Sequence, residues 1–136
     1  MELTDWSRYL IALFFFIFGI QNLKSRDMIL SVMKQNRIPW ATFIFYYGVF
    51  YEFVLTFCLF ANYYTSLSAL FLMLFVFVAI MMFHPFWKMS GEFRRLNQII
   101  FITNSTIVMG ALLSLINLHD LLDLWREGMT WLKFIK

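Results

Sequence analysis

From Trp40 to Asn62 the chain reads WATFIFYYGVFYEFVLTFCLFAN, an apolar run long enough to cross a bilayer with one carboxylate, Glu52, near its middle. Hydrocarbon offers the backbone no hydrogen-bond partner, so a crossing segment must satisfy its own N–H and C=O groups, and an α-helix does so within one segment. On a helix of 3.6 residues per turn, Gly48, Glu52 and Thr56 share one stripe, while Phe50, Phe53, Phe57 and Phe60 cover much of the rest. The small and polar stripe is expected to face protein and the phenylalanines lipid. An ionisable group at this depth marks a functional site by default. Keeping its acid neutral at pH 7 costs about 4 kcal/mol, close to the roughly 3 kcal/mol of a mid-helix charge, so a neutral and an ion-paired Glu52 both stay open.

Composition extends this reading to the whole chain. Of the 136 residues, 62% are hydrophobic and 14% charged, with a mean hydropathy of +0.73, whereas soluble domains carry about 25% charged residues. The length suits one domain of four spans, about 5–23, 40–62, 67–86 and 99–118, followed by an amphipathic tail over 119–136. The expected fold is an all-α antiparallel four-helix transmembrane bundle. A short interfacial helix is expected after the first span, where Met28, Ile29, Val32 and Met33 form an apolar patch. Thr4 suits the N-cap of the first helix, Pro39 ends the interfacial helix, and Pro85 closes the third span, with Trp40 and Trp87 at headgroup level.

The net charge of +3 does not indicate nucleic acid, because the basic residues flank apolar spans, where they meet anionic lipid. The expected partners are the bilayer and a protein partner or second copy. Cys58 is the single cysteine, which excludes an internal disulfide or a CxxC relay. The first segment, MELTDW, lacks a basic n-region and reads as a retained span rather than a cleaved signal. The connections after the first and third spans hold Lys24, Arg26, Lys34, Arg37, Lys88, Arg94 and Arg95, against Arg8, Arg126, Lys133 and Lys136 on the other side. The positive-inside rule then puts those connections in the cytoplasm and both termini outside.

Three groups of polar residues are candidates for function. Arg8 enters the first span about one turn deep, within a side chain's reach of the depth of Glu52, so an ion pair between them is geometrically allowed, either as a structural lock or as a working site. On the opposite side His84, Asn22, Lys24, Asn104 and Trp87 lie near the ends of their helices and could ring a headgroup-level pocket; the plainer alternative is a histidine bonded to nearby backbone. Two stripes of small and polar residues, Arg8, Ala12, Phe15, Gly19 and Asn22 on the first span and Thr103, Thr106, Gly110, Ser114 and Asn117 on the fourth, suit close helix packing. His119 lies about a bilayer thickness from His84, which rules out bis-histidine haem ligation within one chain. No Walker loop, GxGxxG, HExxH or nucleophile elbow occurs, and no flavin or metal motif.

The order and spacing of several short features resemble the DoxX family. They are Arg8 opening the first span, FxFGI at Phe16–Ile20, the Ile38–Pro39 step, Glu52, the FHxFW-like Phe83, His84, Phe86 and Trp87, and Asn104 followed by Gly110, Leu112 and Leu113. Asn22 and Thr103 stand where the family often has basic residues. The resemblance implies a multi-pass protein of the bacterial inner membrane, of a kind linked to thiosulfate:quinone oxidoreductase and to redox or stress-defence assemblies. It makes quinone the cofactor to consider. Three functions follow: a non-catalytic accessory or anchoring subunit; a quinone-linked redox subunit in which Glu52 or His84 supplies protons as catalytic residues, with Arg8, Asn22, Lys24, Trp87 and Asn104 in binding roles; and a small proton-coupled transporter.

Overall fold

The computed structural model describes residues 3–134, almost all of them helical. Helix α1 spans Leu3–Lys24, α2 Arg26–Gln35, α3 Ala41–Phe60 and α4 Thr65–Phe83. A 3₁₀ turn at Phe86–Lys88 leads to α5, Gly91–Thr103, which continues through a π-helical turn at Asn104–Val108 into α6, Met109–Leu113. The last helix, α7, is Leu118–Phe134. Four stretches are long and apolar enough to cross a membrane: Asp5–Lys24, Ala41–Phe60, Thr65–Lys88 and Gly91–Leu113. The all-α membrane bundle expected from the sequence is thus the architecture found.

Local chemistry sets the breaks between helices. α1 begins at Leu3, so Thr4 lies inside the helix rather than capping it. Arg37 and Trp40 take positive φ on either side of Pro39, where the chain reverses into α3. Asn62 and Tyr64 do the same in the turn joining α3 to α4; asparagine tolerates this left-handed conformation better than most residues. His84 leaves α4 at φ −123° and ψ 48°, outside the α region that the following Pro85 disfavours. Gly91 has φ +63°, a value a side chain would resist, and it lets α5 start there. The stretch from Lys88 to Gln98, expected as a loop, therefore contains helix from Gly91 onward, and the fourth span ends at Leu113 instead of Leu118.

Packing follows chain order: α1 lies on α3, α3 on α4, and α4 on α6. The core has two parts. Ala12, Phe15, Leu55, Leu59, Leu72 and Leu112 belong to the larger part, toward the α3–α4 turn. The smaller gathers Met33, Ala41, Phe45 and Val49 and brings α2 onto α3. Thus α2 is pinned through Ile29, Leu30 and Met33, while Met28, expected in its apolar patch, is exposed. Phe50 and Phe57 point outward as expected. Phe53 and Phe60 are less exposed and turn toward α1, and both, like the rim of Phe57, meet Phe16 edge-on. Gly19 makes this approach possible, since a Cβ there would lie 2.9 Å from the Phe53 ring. The tail helix α7 contacts α4. At the α3–α4 turn, Tyr63 and, to a lesser degree, Glu127 of α7 hold the exposed Tyr64 hydroxyl above its usual pKa.

Candidate functional site

Glu52 lies between the two halves of the core, fully buried. Its stripe faces inward as the periodicity requires, with Thr56 also at 0% exposure. Thr56 donates to the Glu52 backbone carbonyl at 2.7 Å and so satisfies itself within α3. The carboxyl receives one long hydrogen bond, from Asn22 Nδ2 to Oε2 at 3.4 Å, and Oε1 is buried without a partner. Natively buried polar atoms are rarely left unpaired, so an orphan carboxylate oxygen is the kind of feature that function explains.

Arg8 is not the counter-charge of Glu52. Its side chain, 7% exposed, runs to the end of α3, where Nη1 donates to the backbone carbonyls of Leu59 and Phe60 while Nη2 pairs with Asp5 at 3.3 Å. The guanidinium also lies 4.4 Å from the centre of the Tyr9 ring. The physical reason is local. The last carbonyls of a helix lack intrahelical donors and carry its negative dipole end, and a guanidinium satisfies both needs. Leu59 is seven residues beyond Glu52, or about 10 Å along the helix, so the allowed ion pair is not made.

The pocket expected around His84 is also not assembled. His84 Nδ1 lies 2.7 Å from Asn97 Oδ1, and Asn97 donates in turn to the Phe93 carbonyl of its own helix. Asn104 donates back to Ile100, Lys24 is exposed, and Trp87 packs edge-on against Phe86 and Phe101. Of the residues expected there, only Asn22 joins a buried polar group, and its partner is Glu52. The role of Asn97 had no sequence signal, because the helix carrying it was expected to be loop.

A second polar region lies at the end of the bundle that holds the α3–α4 turn. Arg8, Asp5, Ser66, Asn117 and Asp120 border a cavity of about 320 Å³. Ser66, 3% exposed, donates to Asp120 at 2.8 Å and accepts from the Asn117 backbone N–H at 3.0 Å. These contacts tie the start of α7 to α4. Ser66 and Asp120 are 54 residues apart in the chain, which explains why sequence spacing did not pair them.

The stripe on the fourth span is exposed, with Ser114 at its end on the rim of that cavity. Thr103, Thr106, Gly110 and Ser114 are all exposed, and nothing lies within 4 Å of where a Gly110 Cβ would be. Only 6% of this span's apolar window is buried, against 33% for the second and third spans.

Among the described residues, no group of three or more His, Cys, Asp or Glu side chains is placed to hold a metal. No curated protein and no solved structure matches the chain. A family model described as DoxX matches residues 4–85, which hold Arg8, the Phe16–Ile20 motif, Asn22, Glu52 and His84. The resemblance drawn through Asn104 and Gly110 falls outside that match. With the model covering more than half of a chain that also carries four membrane-length apolar helices, this protein belongs to the DoxX family of membrane proteins.

Proposed function

We propose that the chain is a non-catalytic accessory or anchoring subunit of a bacterial inner-membrane complex, docking through the outward face of its fourth span. The observation that carries this reading is that the least buried span presents Thr103, Thr106, Gly110 and Ser114 outward. Small residues at this spacing let a second helix come close, which is the main source of helix association in lipid. Either a different protein or a second copy could fill that face. The test is affinity purification from the native membrane in mild detergent, comparing the wild type with Gly110→Leu. A stoichiometric partner or dimer that is lost in the variant, with unchanged melting of the isolated subunit, supports the reading. A wild-type protein recovered only as a monomer refutes it. The basic-residue count further proposes cytoplasmic α2 and α5 ends, so a cysteine at Arg95 should label from inside and one at Thr65 from outside, in a Cys58→Ser background.

A second reading is favoured by the orphan Glu52 Oε1. Here Glu52 is a proton-handling acid for a quinone-linked redox partner, with Asn22 orienting the carboxyl. Glu52→Gln retains a carbonyl to accept from Asn22, so the subunit should melt almost as before while quinone reduction by the native complex falls. Unchanged quinone reduction would eliminate this reading.

A further inference from the structure

The first and fourth spans do not close against each other along their whole length. Leu10, Ile11, Phe14 and Phe15 of α1 face Ile107, Val108 and Ala111 across an apolar groove of about 230 Å³. One helical turn nearer the bundle end, the same two helices border the polar cavity, through Asp5 and Arg8 on one side and Ser114 and Leu115 on the other. A polar chamber at headgroup level above an apolar slot has the layout of a membrane lipid.

The side chains narrow the choice of headgroup. Arg8 is already engaged by two backbone carbonyls and by Asp5. That leaves the Asp120 carboxylate, held by the buried Ser66, as a charge of the cavity that forms no ion pair among the described residues. Asn62 spends its carbonyl oxygen on the Thr65 hydroxyl at 2.8 Å, and Asn117 spends its own on the His119 N–H at 3.0 Å. Each therefore keeps its amide N–H₂ for an acceptor. The cavity thus combines a carboxylate suited to a hydrogen-bonding cation with two amide donors suited to an anion. Its volume is far beyond the ~15 Å³ that a single water needs.

We infer that this cavity and groove bind a zwitterionic phospholipid with a primary-amine headgroup of the ethanolamine type: the ammonium on Asp120, the phosphate at the Asn62 and Asn117 amides, and one acyl chain between α1 and the fourth span. A choline headgroup brings the same phosphate but cannot donate a hydrogen bond to Asp120. A glycerol headgroup lacks the cation altogether. Gly110, the residue that tests the proposed docking role, lines neither the groove nor the cavity, so the two readings are tested separately.

The test is native mass spectrometry of the delipidated full chain, titrated with phosphatidylethanolamine, phosphatidylcholine and phosphatidylglycerol carrying the same acyl chains. The ethanolamine lipid should bind about tenfold more tightly than either other lipid, the value of one charge-assisted hydrogen bond. Asp120→Asn, which still accepts from Ser66, should remove that preference. Ala111→Trp, which fills the groove, should weaken all three lipids. Equal binding of the three lipids by the wild type overturns the inference without recourse to any variant, as does a preference that survives in Asp120→Asn. Soluble phosphoethanolamine binding as tightly as the lipid would also overturn it, because the groove would then contribute nothing.

Discussion

The stripes on α1 and on the fourth span share helical spacing and a mix of small and polar residues, yet one is largely buried and the other exposed. On α1, Arg8, Ala12 and Phe15 are buried, and the Gly19 backbone lies against Phe53. On the fourth span, Thr103, Thr106 and Gly110 are exposed. Where each polar side chain finds its partner accounts for the difference. Arg8 and Asn22 bond to α3, through the Leu59 and Phe60 carbonyls and through Glu52. Thr106 and Ser114 bond to carbonyls of their own helix, at Ile102 and Ala111. A polar residue satisfied within its own helix can face lipid at little cost, whereas one that needs another helix draws that helix in.

Single substitutions at five positions test this contrast, from the largest expected effect to the smallest. Arg8→Met removes two charge-assisted bonds and leaves the end carbonyls of α3 without their donor, so a loss of about 3 kcal/mol is expected in detergent unfolding. If Arg8→Met melts like the wild type, the α1–α3 contact is not held by its polar partners. Gly19→Leu drives a side chain into the Phe53 ring and should cost about 1 to 3 kcal/mol. The same change at Gly110 meets open space and should leave the isolated subunit's melting temperature alone. A comparable loss at both glycines would mean that the fourth span is packed more closely than its exposure indicates.

Asn22→Leu strips Glu52 of its one observed donor and should cost about 1 kcal/mol, near the upper range for side-chain hydrogen bonds within membranes. Arg8 and Glu52 bond to different groups, so a double-mutant cycle of Arg8→Met with Glu52→Gln should give a coupling energy within about 0.5 kcal/mol of zero. A coupling of several kcal/mol would restore the ion pair that the geometry disallows. Thr106→Val should likewise change stability by no more than about 0.5 kcal/mol, since its hydroxyl serves only its own helix.

The sequence by itself determined the class of fold, the number of spans and the inward stripe of α3, because in a bilayer hydropathy and helical period follow from the solvent and the backbone alone. It also singled out Glu52, since a lone carboxylate in a long apolar run is visible without any contact being known. Partners were beyond its reach. Whether Arg8 meets Glu52 or the end of α3 depends on the relative tilt and depth of two helices, and Ser66 meets Asp120 only because α7 folds back onto α4. The start of the fourth span was hidden for a different reason: Glu92, Arg94 and Arg95 gave its first turns the composition of a loop, while the helix needed only Gly91 at positive φ to begin there. Which side of a helix is covered is likewise a property of its neighbours, so equivalent stripes on α1 and the fourth span could be told apart only once the bundle was assembled.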